Sequence, residues 1–518
     1  MRRLIALFAL ALLCACSRPG SIPGVLRLGK QDEPDSLNLL FAHSAASDEV
    51  DALLFTHLFR YDANGNMIPD LALTVPTTRN GGISPDGRTI TLHLRHGVTW
   101  SDGAPLTAAD WLFTYHAVLN PRNNTKSNYG WDAIASADAP DPYTLVIHLK
   151  KPNVAALGIL GMGGNAYPPL PAHLLAKLPD INHAPFNEKP ISSGPYLLKA
   201  WNHGASLVFV PNPRYWRGPP NLKELVWTII PDSNSLLAAL QTHAIDIYPT
   251  VDVNAVAALA KIPGIHVVHR SVANWRALGI NMSRPGLSDV RVRQAIADGI
   301  DWKRLNDTVY HGYNRLAVSD IFPDSWAAPV LPPYRYDPMR ARALLGAAGY
   351  TPAHPLRLVV SATVSAKSNQ DAELVMQSAL RPLGIELTIR NYPASLFFAQ
   401  DGPIYKGTYD LEWSIDTNAP DPDNAGLWNS AFIPPKGANT SWLRDPIVDR
   451  TSSAAAKTFD QATRKRLYQE EESRIRKLVP AVFFYWETAY YGVSDDVRGF
   501  DPSAYIGDTW NAWEWNVK

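Results

Sequence analysis

The sequence predicts an α/β protein with more than one lobe. Its 518 residues are 46% hydrophobic and 19% charged, which suits a globular chain larger than one ordinary domain. Segments of period-two alternation also follow segments of helical spacing along the chain. The clearest case is residues 356–392, where a strand pattern, a helix over Ser368 to Leu383 and a second strand pattern predict a βαβ unit.

The first residues are predicted to be a targeting segment. Two arginines precede an apolar run over residues 4–13, which is far shorter than the roughly 20 residues that span a bilayer as a helix. A small residue, Ala15, precedes Cys16, as in a bacterial lipobox. We therefore expect a lipoprotein signal peptide over residues 1–15, a lipid on Cys16 and a tether over residues 16–24. A plain secretory signal is the alternative.

Composition excludes several classes of function. Lys plus Arg and Asp plus Glu number 48 each, so no basic field is available to hold nucleic acid. Both cysteines, Cys14 and Cys16, lie in or beside the leader, so we expect neither an internal disulfide nor a thiolate metal site. The His-Glu-x-x-His, Gly-x-Ser-x-Gly and P-loop motifs do not occur. The sequence therefore predicts no catalytic residues, no metal and no cofactor.

Residues 81–116 contain a strand followed by a capped helix. Alternating apolar residues from Ile90 to Leu94 predict the strand, and the turn His96-Gly97 is predicted to return the chain as a hairpin. Thr107 is the predicted N-cap of the helix, and Asp110 lies three residues later, as in a capping box. This pattern predicts structure and carries no chemistry of its own.

Three segments of the chain carry a resemblance to a known family. The first contains "SPDG" and "LRHGVTWSDGAPLTAAD" within residues 84–110. The second is "SSGPYLLKAWNHGASLVFVPNPRYWRG" at residues 192–218, and the third is "LGINMSRPGLSDVRVRQAIADGIDWKRL" at residues 278–305. In this order they resemble the extracellular solute-binding proteins of family 5, which are the receptors of peptide and nickel ABC importers. The resemblance extends over nearly the whole chain after the leader.

The resemblance implies a two-lobed periplasmic-binding-protein type II fold with an extra inserted domain. Domain I is expected to combine residues 25–50, 170–266 and 490–518. Domain II, the insertion, is expected over residues 51–169, and domain III, the second lobe, over residues 267–489. The ligand is expected between the lobes, which close by a hinge motion.

The resemblance also implies a function. We expect a receptor that captures peptides and delivers them to the permease and ATPase subunits of an ABC transporter. It is expected to be a monomer on the extracytoplasmic, periplasmic side of the cell membrane, held there by its lipid anchor. A nickel- or haem-binding receptor of the same family is the nearer alternative. An extracytoplasmic hydrolase with a Trp-lined cleft is the alternative from another class.

Candidate ligand-binding residues lie in the polar stretch 412–424. A peptide receptor of broad specificity should bind the α-ammonium, the main-chain amides and the α-carboxylate that all peptides share. The stretch resembles the family's peptide-binding loop, and the resemblance places Trp413 and Asp416 on ligand-facing positions. Asp421 and Asp423 are interpreted as turn residues beside prolines.

The sequence also offers a candidate partner for a ligand carboxylate. Dipeptide receptors of this family hold it with an arginine in the loop before a helix. The corresponding loop here, residues 361–373, contains no arginine, and Lys367 is its cation. A lysine offers a point charge where an arginine offers a bidentate fork. Lys367 is therefore the predicted carboxylate partner, and longer peptides or another solute stay open as ligands.

Overall fold

The structure is a computed structural model that describes residues 22–251, 253–364, 367–399, 401–505 and 507–518. The predictions of a signal peptide and of lipid attachment at Cys16 lie outside these residues. Its strands are β1 (Val25–Lys30), β2 (Phe59–Tyr61), β3 (Met67–Pro69), β4 (Thr89–His93), β5 (Ile134–Asp141), β6 (Thr144–Leu149), β7 (Tyr196–Asn202), β8 (Ser206–Pro211), β9 (Glu224–Ile229), β10 (Ile247–Tyr248), β11 (Ile265–Ile280), β12 (Arg315–Leu316), β13 (Leu356–Thr363), β14 (Ile385–Tyr392), β15 (Leu411–Thr417), β16 (Ala481–Ser494), β17 (Val497–Arg498) and β18 (Asn516–Val517). Its α-helices are α1 (Ala45–Leu54), α2 (Ala108–Leu119), α3 (Ala172–Leu175), α4 (Ser233–Gln241), α5 (Val256–Leu259), α6 (Val290–Gly299), α7 (Trp302–Val309), α8 (Pro338–Ala347), α9 (Lys367–Leu380), α10 (Ala394–Phe397), α11 (Ala425–Trp428), α12 (Pro446–Ala455) and α13 (Gln461–Leu478).

One mixed sheet of eleven strands runs through the molecule. Its order is β14-β13-β15-β11-β16-β10-β1-β9-β8-β7, with β12 attached to β16. The two long strands β11 and β16 are antiparallel and pair from Ile265 opposite Ser494 to Gly279 opposite Ala481. Strand β16 pairs with β10 at Gly492 and Val493, and β11 pairs with β15 from Asn274 to Ile280. The two strands therefore connect the β1 side of the sheet with the β15 side.

Separate hydrophobic cores define two lobes. The first core joins β1 and β7–β9 to the three-stranded sheet β4-β6-β5 and contains the buried rings of Trp100, Trp111 and Trp227. The cores of the second lobe lie on β11, β13, β15 and β16 and contain Trp302 and Trp413. Burial of these large aromatic side chains, together with the aliphatic residues around them, stabilises each lobe.

The stretch 81–116 confirms one local prediction and contradicts another. Thr107 and Asp110 form the predicted capping box of α2. The predicted hairpin is wrong, because β4 pairs with the distant strand β6, with Ile90 opposite Ile147. The six residues of β6 alternate in burial and can cover the whole of β4, whereas the residues just after the His96-Gly97 turn form only an isolated bridge at Thr99. Cross-strand packing therefore outweighs the shorter connection.

The predicted βαβ unit is confirmed and positions the site. Strands β13 and β14 are parallel over eight residue pairs, from Leu356 opposite Ile385 to Thr363 opposite Tyr392, and α9 connects them. Strand β15 is parallel to β13 on its other side. The carboxyl ends of the three strands therefore share one edge of the sheet, where open α/β sheets bind their ligands.

Candidate functional site

Strand β15 continues beyond its neighbour at this edge. Pairing with β13 ends where Ala362 lies opposite Trp413. Pairing with β11 on the other side continues to Thr417, opposite Asn274. Within the part of the chain that the structure describes, residues 414–417 therefore have no strand partner on the β13 side. Apart from the N–H of Thr417, which donates to the Asp416 side chain, their main-chain groups on that side are available to an extended ligand.

Asp416 lies in this open segment. It is half-buried, and one carboxylate oxygen accepts a hydrogen bond of 2.8 Å from the main-chain N–H of Thr417. Burial raises the pKa of Asp416 above its usual value, and the charge of Asp320 raises it further. No lysine or arginine among the described residues forms an ion pair with Asp416. The carboxylate is thus available to a cation from outside the chain.

Trp413 lies on the opposite face of β15 from Asp416, because the two residues are three apart in a strand. Its side chain is 1% exposed, and its ring centroid is 5.6 Å from that of Phe484. The guanidinium of Arg276 lies over the indole at 5.4 Å from its centre. Trp413 therefore packs in the core of the second lobe, where its indole ring contacts the guanidinium of Arg276.

Arg276 is a site residue that sequence reasoning missed. It lies on β11 opposite Ile415, is 8% exposed, and donates from Nε to the hydroxyl of Tyr485 at 3.1 Å. Burial raises the pKa of the Glu373 carboxyl, and a hydrogen bond from Asn391 and the charge of Arg276 offset part of that rise. No carboxylate in the described ranges lies within ion-pair distance of the guanidinium. An arginine between the apolar residues Trp275 and Ala277 was the signal that could have indicated it.

Lys367 is the first residue of α9, at the same edge of the sheet. Its Nζ atom lies 2.7 and 2.6 Å from the two carboxylate oxygens of Asp371, one helical turn later. The lysine side chain is 83% exposed. An exposed ion pair of this kind contributes little stability, but Asp371 already neutralises the charge of Lys367.

A cavity of about 600 Å³ lies between the first lobe and the part of the second lobe that contains Trp326 and Arg464. Its lining also includes Met67, Leu157 and Phe459, which pack against the first core. The chain that leaves β15 forms part of its wall at residues 420–421. The volume is that of a typical small-ligand site. The open end of β15 is close to it in sequence, because the strand ends at Thr417 and the cavity wall begins at Pro420.

Asp421 has a second role in this wall. It accepts the main-chain N–H of Asp423 at 3.1 Å, which confirms the predicted turn. Its two oxygens also bind the guanidinium of Arg464 at 2.6 and 2.8 Å. The arginine side chain is only 5% exposed, so Asp421 compensates a buried charge as well as forming a turn.

Comparison with known proteins identifies the family. The family model described as bacterial extracellular solute-binding proteins, family 5, middle region, matches residues 66–434. The chain belongs to this family. The oligopeptide-binding protein AppA of Bacillus subtilis (strain 168) is 24% identical over 507 residues, which cover 92% of this chain and 89% of AppA. The glutathione-binding protein GsiB of Salmonella typhimurium is 28% identical over 487 residues, which cover 89% of this chain and 93% of GsiB.

Solved structures show the same fold. AppA in complex with a nonapeptide superposes with a TM-score of 0.75 at 23% identity, covering 96% of this chain and 100% of AppA. NikZ from Campylobacter jejuni in complex with Ni(L-His) gives 0.76 at 26% identity, again over 96% and 100% of the two chains. The prediction of a two-lobed periplasmic-binding-protein type II fold is confirmed.

Family membership also settles the broad class of activity. The prediction of a solute-binding receptor of an ABC importer is confirmed, because the matched family consists of extracellular solute-binding proteins and not of hydrolases. No helix among the described residues has the length and apolar character needed to cross a membrane.

Proposed function

We propose that this receptor captures peptides between its lobes and delivers them to the permease of an ABC importer. The observation that carries the proposal is the open edge of β15, which ends beside a half-buried carboxylate without a basic partner among the described residues. The names of AppA and GsiB, an oligopeptide-binding and a glutathione-binding protein, support the same class of ligand.

The open edge suits the main chain of a peptide. Strand β13 pairs with residues 411–413 of β15, and the pairing ends where Ala362 lies opposite Trp413. An extended ligand beside residues 414–417 can continue the same main-chain hydrogen bonding. Main-chain pairing of this kind gives affinity without regard to side chains. Within the described ranges, no strand competes for that edge.

The two charged ends of a peptide have candidate partners. Asp416 accepts the α-ammonium, because a half-buried carboxylate binds a cation strongly and directionally. Arg276 is the favoured partner of the α-carboxylate, since its guanidinium is held by Tyr485 and is free of carboxylates within ion-pair distance among the described residues. It lies on the Trp413 face of the sheet, opposite to Asp416, so the two ends of the ligand would turn to opposite faces at the open end of β15. Lys367, bound to Asp371, is the second candidate. Trp413 contributes indirectly, because its indole ring packs against the guanidinium of Arg276.

Attachment to the membrane completes the proposal. The receptor is a monomer whose Cys16 carries a lipid after residues 1–15 are removed, and it acts on the outer side of the cell membrane. The lipobox pattern supports this, and the permease together with its ATPase subunits is the partner.

A nickel complex is the second candidate ligand. NikZ, at 26% identity, is named in complex with Ni(L-His). No group of three or more His, Cys, Asp or Glu side chains in the described part of the chain is arranged to hold a metal ion. A metal would then arrive with its own organic ligand, as in the complex named for NikZ.

Mass spectrometry tests the proposal directly. The purified receptor is incubated with a peptide library, and the bound and free pools are compared, together with a metal analysis and an absorption spectrum. We expect intact peptides enriched in the bound pool and no hydrolysis products. Retention of nickel or haem without peptides would favour the second candidate, and cleaved peptides would overturn the assignment of a receptor.

A further inference from the structure

A second cavity, of about 60 Å³, lies inside the second lobe next to Asp416. Its lining includes two carboxylates, Glu412 and Asp416, and the rings of Trp275 and Trp428. It also includes the hydroxyl-bearing side chain of Thr440, and none of its lining residues is a lysine, an arginine or a histidine. The cavity is therefore acidic and aromatic at once.

Glu412 is the deeper of the two carboxylates. It is only 8% exposed, whereas Asp416 is half-buried. Both point to the same face of β15, because they are four residues apart in a strand. The cavity thus leads inward from the residue that we assign to the peptide ammonium.

No cation compensates the carboxyl group of Glu412. The hydroxyl of Thr440 donates to one of its oxygens at the long distance of 3.5 Å. Its carboxylate takes part in no ion pair with the described residues. Burial raises the pKa of Glu412 to about 7. Because this buried carboxyl lines a cavity and has no basic partner among the described residues, a cation in the cavity could pair with it.

The space around this group is also maintained by a glycine. A Cβ atom on Gly279 of β11 would lie 3.5 Å from a carboxylate oxygen of Glu412, so a methyl group there would fit without a clash but would occupy part of the space. A cavity of this volume accommodates the end of a side chain and not a whole residue.

We propose that this cavity binds the cationic side chain of the ligand's first residue, an ammonium or guanidinium group, with Glu412 as its counter-ion. The rings of Trp275 and Trp428 lie in the same wall and attract a cation by their π faces. The inference rests on the proposed function and narrows it to peptides that begin with a basic residue.

Three tripeptides test the inference by titration calorimetry on the full receptor. They are Lys-Ala-Ala, its uncharged analogue norleucine-Ala-Ala, and Ala-Ala-Ala. A charge-assisted hydrogen bond is expected to make the lysine peptide bind about tenfold tighter than the norleucine peptide. Glu412→Gln should reduce that preference to about twofold or less and leave the norleucine peptide unchanged.

The preference should also depend on pH. The negative form of Glu412 is the one that attracts a cation, so the preference should increase from pH 6 to pH 8 and should be flat in Glu412→Gln. Asp416 is the other titratable carboxyl that faces Glu412, and Tyr409 and Ser414 add hydroxyl groups. The pKa of Asp416 is also raised by burial, so Asp416→Asn serves as the control for its contribution.

A second variant covers a failure of Glu412→Gln to fold. Gly279→Ala keeps both carboxylates and narrows the cavity, so it should weaken Lys-Ala-Ala and leave Ala-Ala-Ala unchanged. Equal affinity of the unmodified receptor for the lysine and norleucine peptides would overturn this inference alone. If none of the three peptides binds, the proposed function fails and the inference fails with it.

Discussion

The Nε atom of Arg276 donates a hydrogen bond of 3.1 Å to the hydroxyl of Tyr485. This bond uses one of the five donors of the guanidinium, and the ring of Trp413 lies beneath the group at 5.4 Å. The arginine is therefore held in place before any ligand arrives. Its Nη donors face no carboxylate within ion-pair distance among the described residues, which is the arrangement that a carboxylate clamp requires.

Replacement of this arginine should remove the contact with the ligand carboxylate. Loss of one partner of a buried charge pair costs about 2–5 kcal/mol, so Arg276→Met should weaken a peptide by about 30-fold or more. Lys367→Met should change affinity by about threefold or less, because Lys367 is exposed and already paired with Asp371. Calorimetry with one peptide measures both variants side by side.

The matched control is the same peptide with an amidated carboxyl end. It lacks the carboxylate, so Arg276→Met should weaken it little beyond the loss already caused by amidation. A large loss for Lys367→Met with none for Arg276→Met would return the assignment to the residue that the sequence predicted.

The sequence predicted what depends on local patterns. The capping box at Thr107 and Asp110 and the βαβ unit of β13, α9 and β14 are set by residues within a few positions or by simple periodicity. The partner of β4 was not predictable in this way, because β6 lies about fifty residues further along the chain. Strand pairing over such distances depends on the cross-strand fit of whole faces.

The candidate site shows the same division. The resemblance placed Asp416 on a ligand-facing position of a loop, and the structure finds it in the last residues of β15, beside an open edge. It also placed Trp413 towards the ligand, while the structure finds the ring in the core of the lobe. Arg276 was not predicted as a site residue, because it lies on β11, and only the loop 361–373 was considered for a carboxylate partner. A residue that strand pairing brings to a site from a distant part of the chain is not part of the sequence motif that contains the other site residues.

The charge of Asp416 should matter only for peptides with a free amino end. Asp416→Asn preserves the shape of the side chain and removes its charge, so affinity should fall by about 30-fold or more. An N-acetylated peptide should bind the unmodified receptor weakly, because its ammonium is missing. Calorimetry of all four combinations forms a double-mutant cycle, in which the two losses should not add.

Additive losses in that cycle would mean that Asp416 and the ammonium act independently. Ser414→Ala provides a control on the same strand face, since it removes a hydroxyl without changing charge. It should alter the affinity by about threefold or less. A result as large as that of Asp416→Asn would point to disturbance of β15 and not to a lost ion pair.

Lipid attachment at Cys16 should decide where the receptor is found in the cell. Cys16→Ser removes the thiol that carries the lipid, so the protein should move to the soluble extracytoplasmic fraction. Membrane fractionation followed by immunoblotting measures this. Cys14→Ser is the matched control and should leave the protein membrane-bound. Retention of Cys16→Ser in the membrane fraction would show that another anchor holds the chain.

Asp421 should stabilise the wall of the interlobe cavity through Arg464. Its removal would leave a guanidinium that is 5% exposed with the hydroxyl of Tyr468, at 2.9 Å, as its remaining side-chain hydrogen-bond partner among the described residues. Breaking a buried ion pair from one side typically costs about 3–5 kcal/mol, and the carboxylate here is 27% exposed. We therefore expect Asp421→Asn to lower the free energy of unfolding by about 2–4 kcal/mol, measured by urea denaturation.

Asp423 supplies the comparison for that measurement. Burial raises its pKa first, and the charge of Asp421 raises it further, so its ionised form is disfavoured in the folded state. Asp423→Asn can still accept the main-chain N–H of Ala425, now 3.2 Å from the carboxylate. The substitution should therefore change stability by about 0.5 kcal/mol or less. Equal losses for the two variants would mean that the turn, and not the ion pair with Arg464, stabilises this wall.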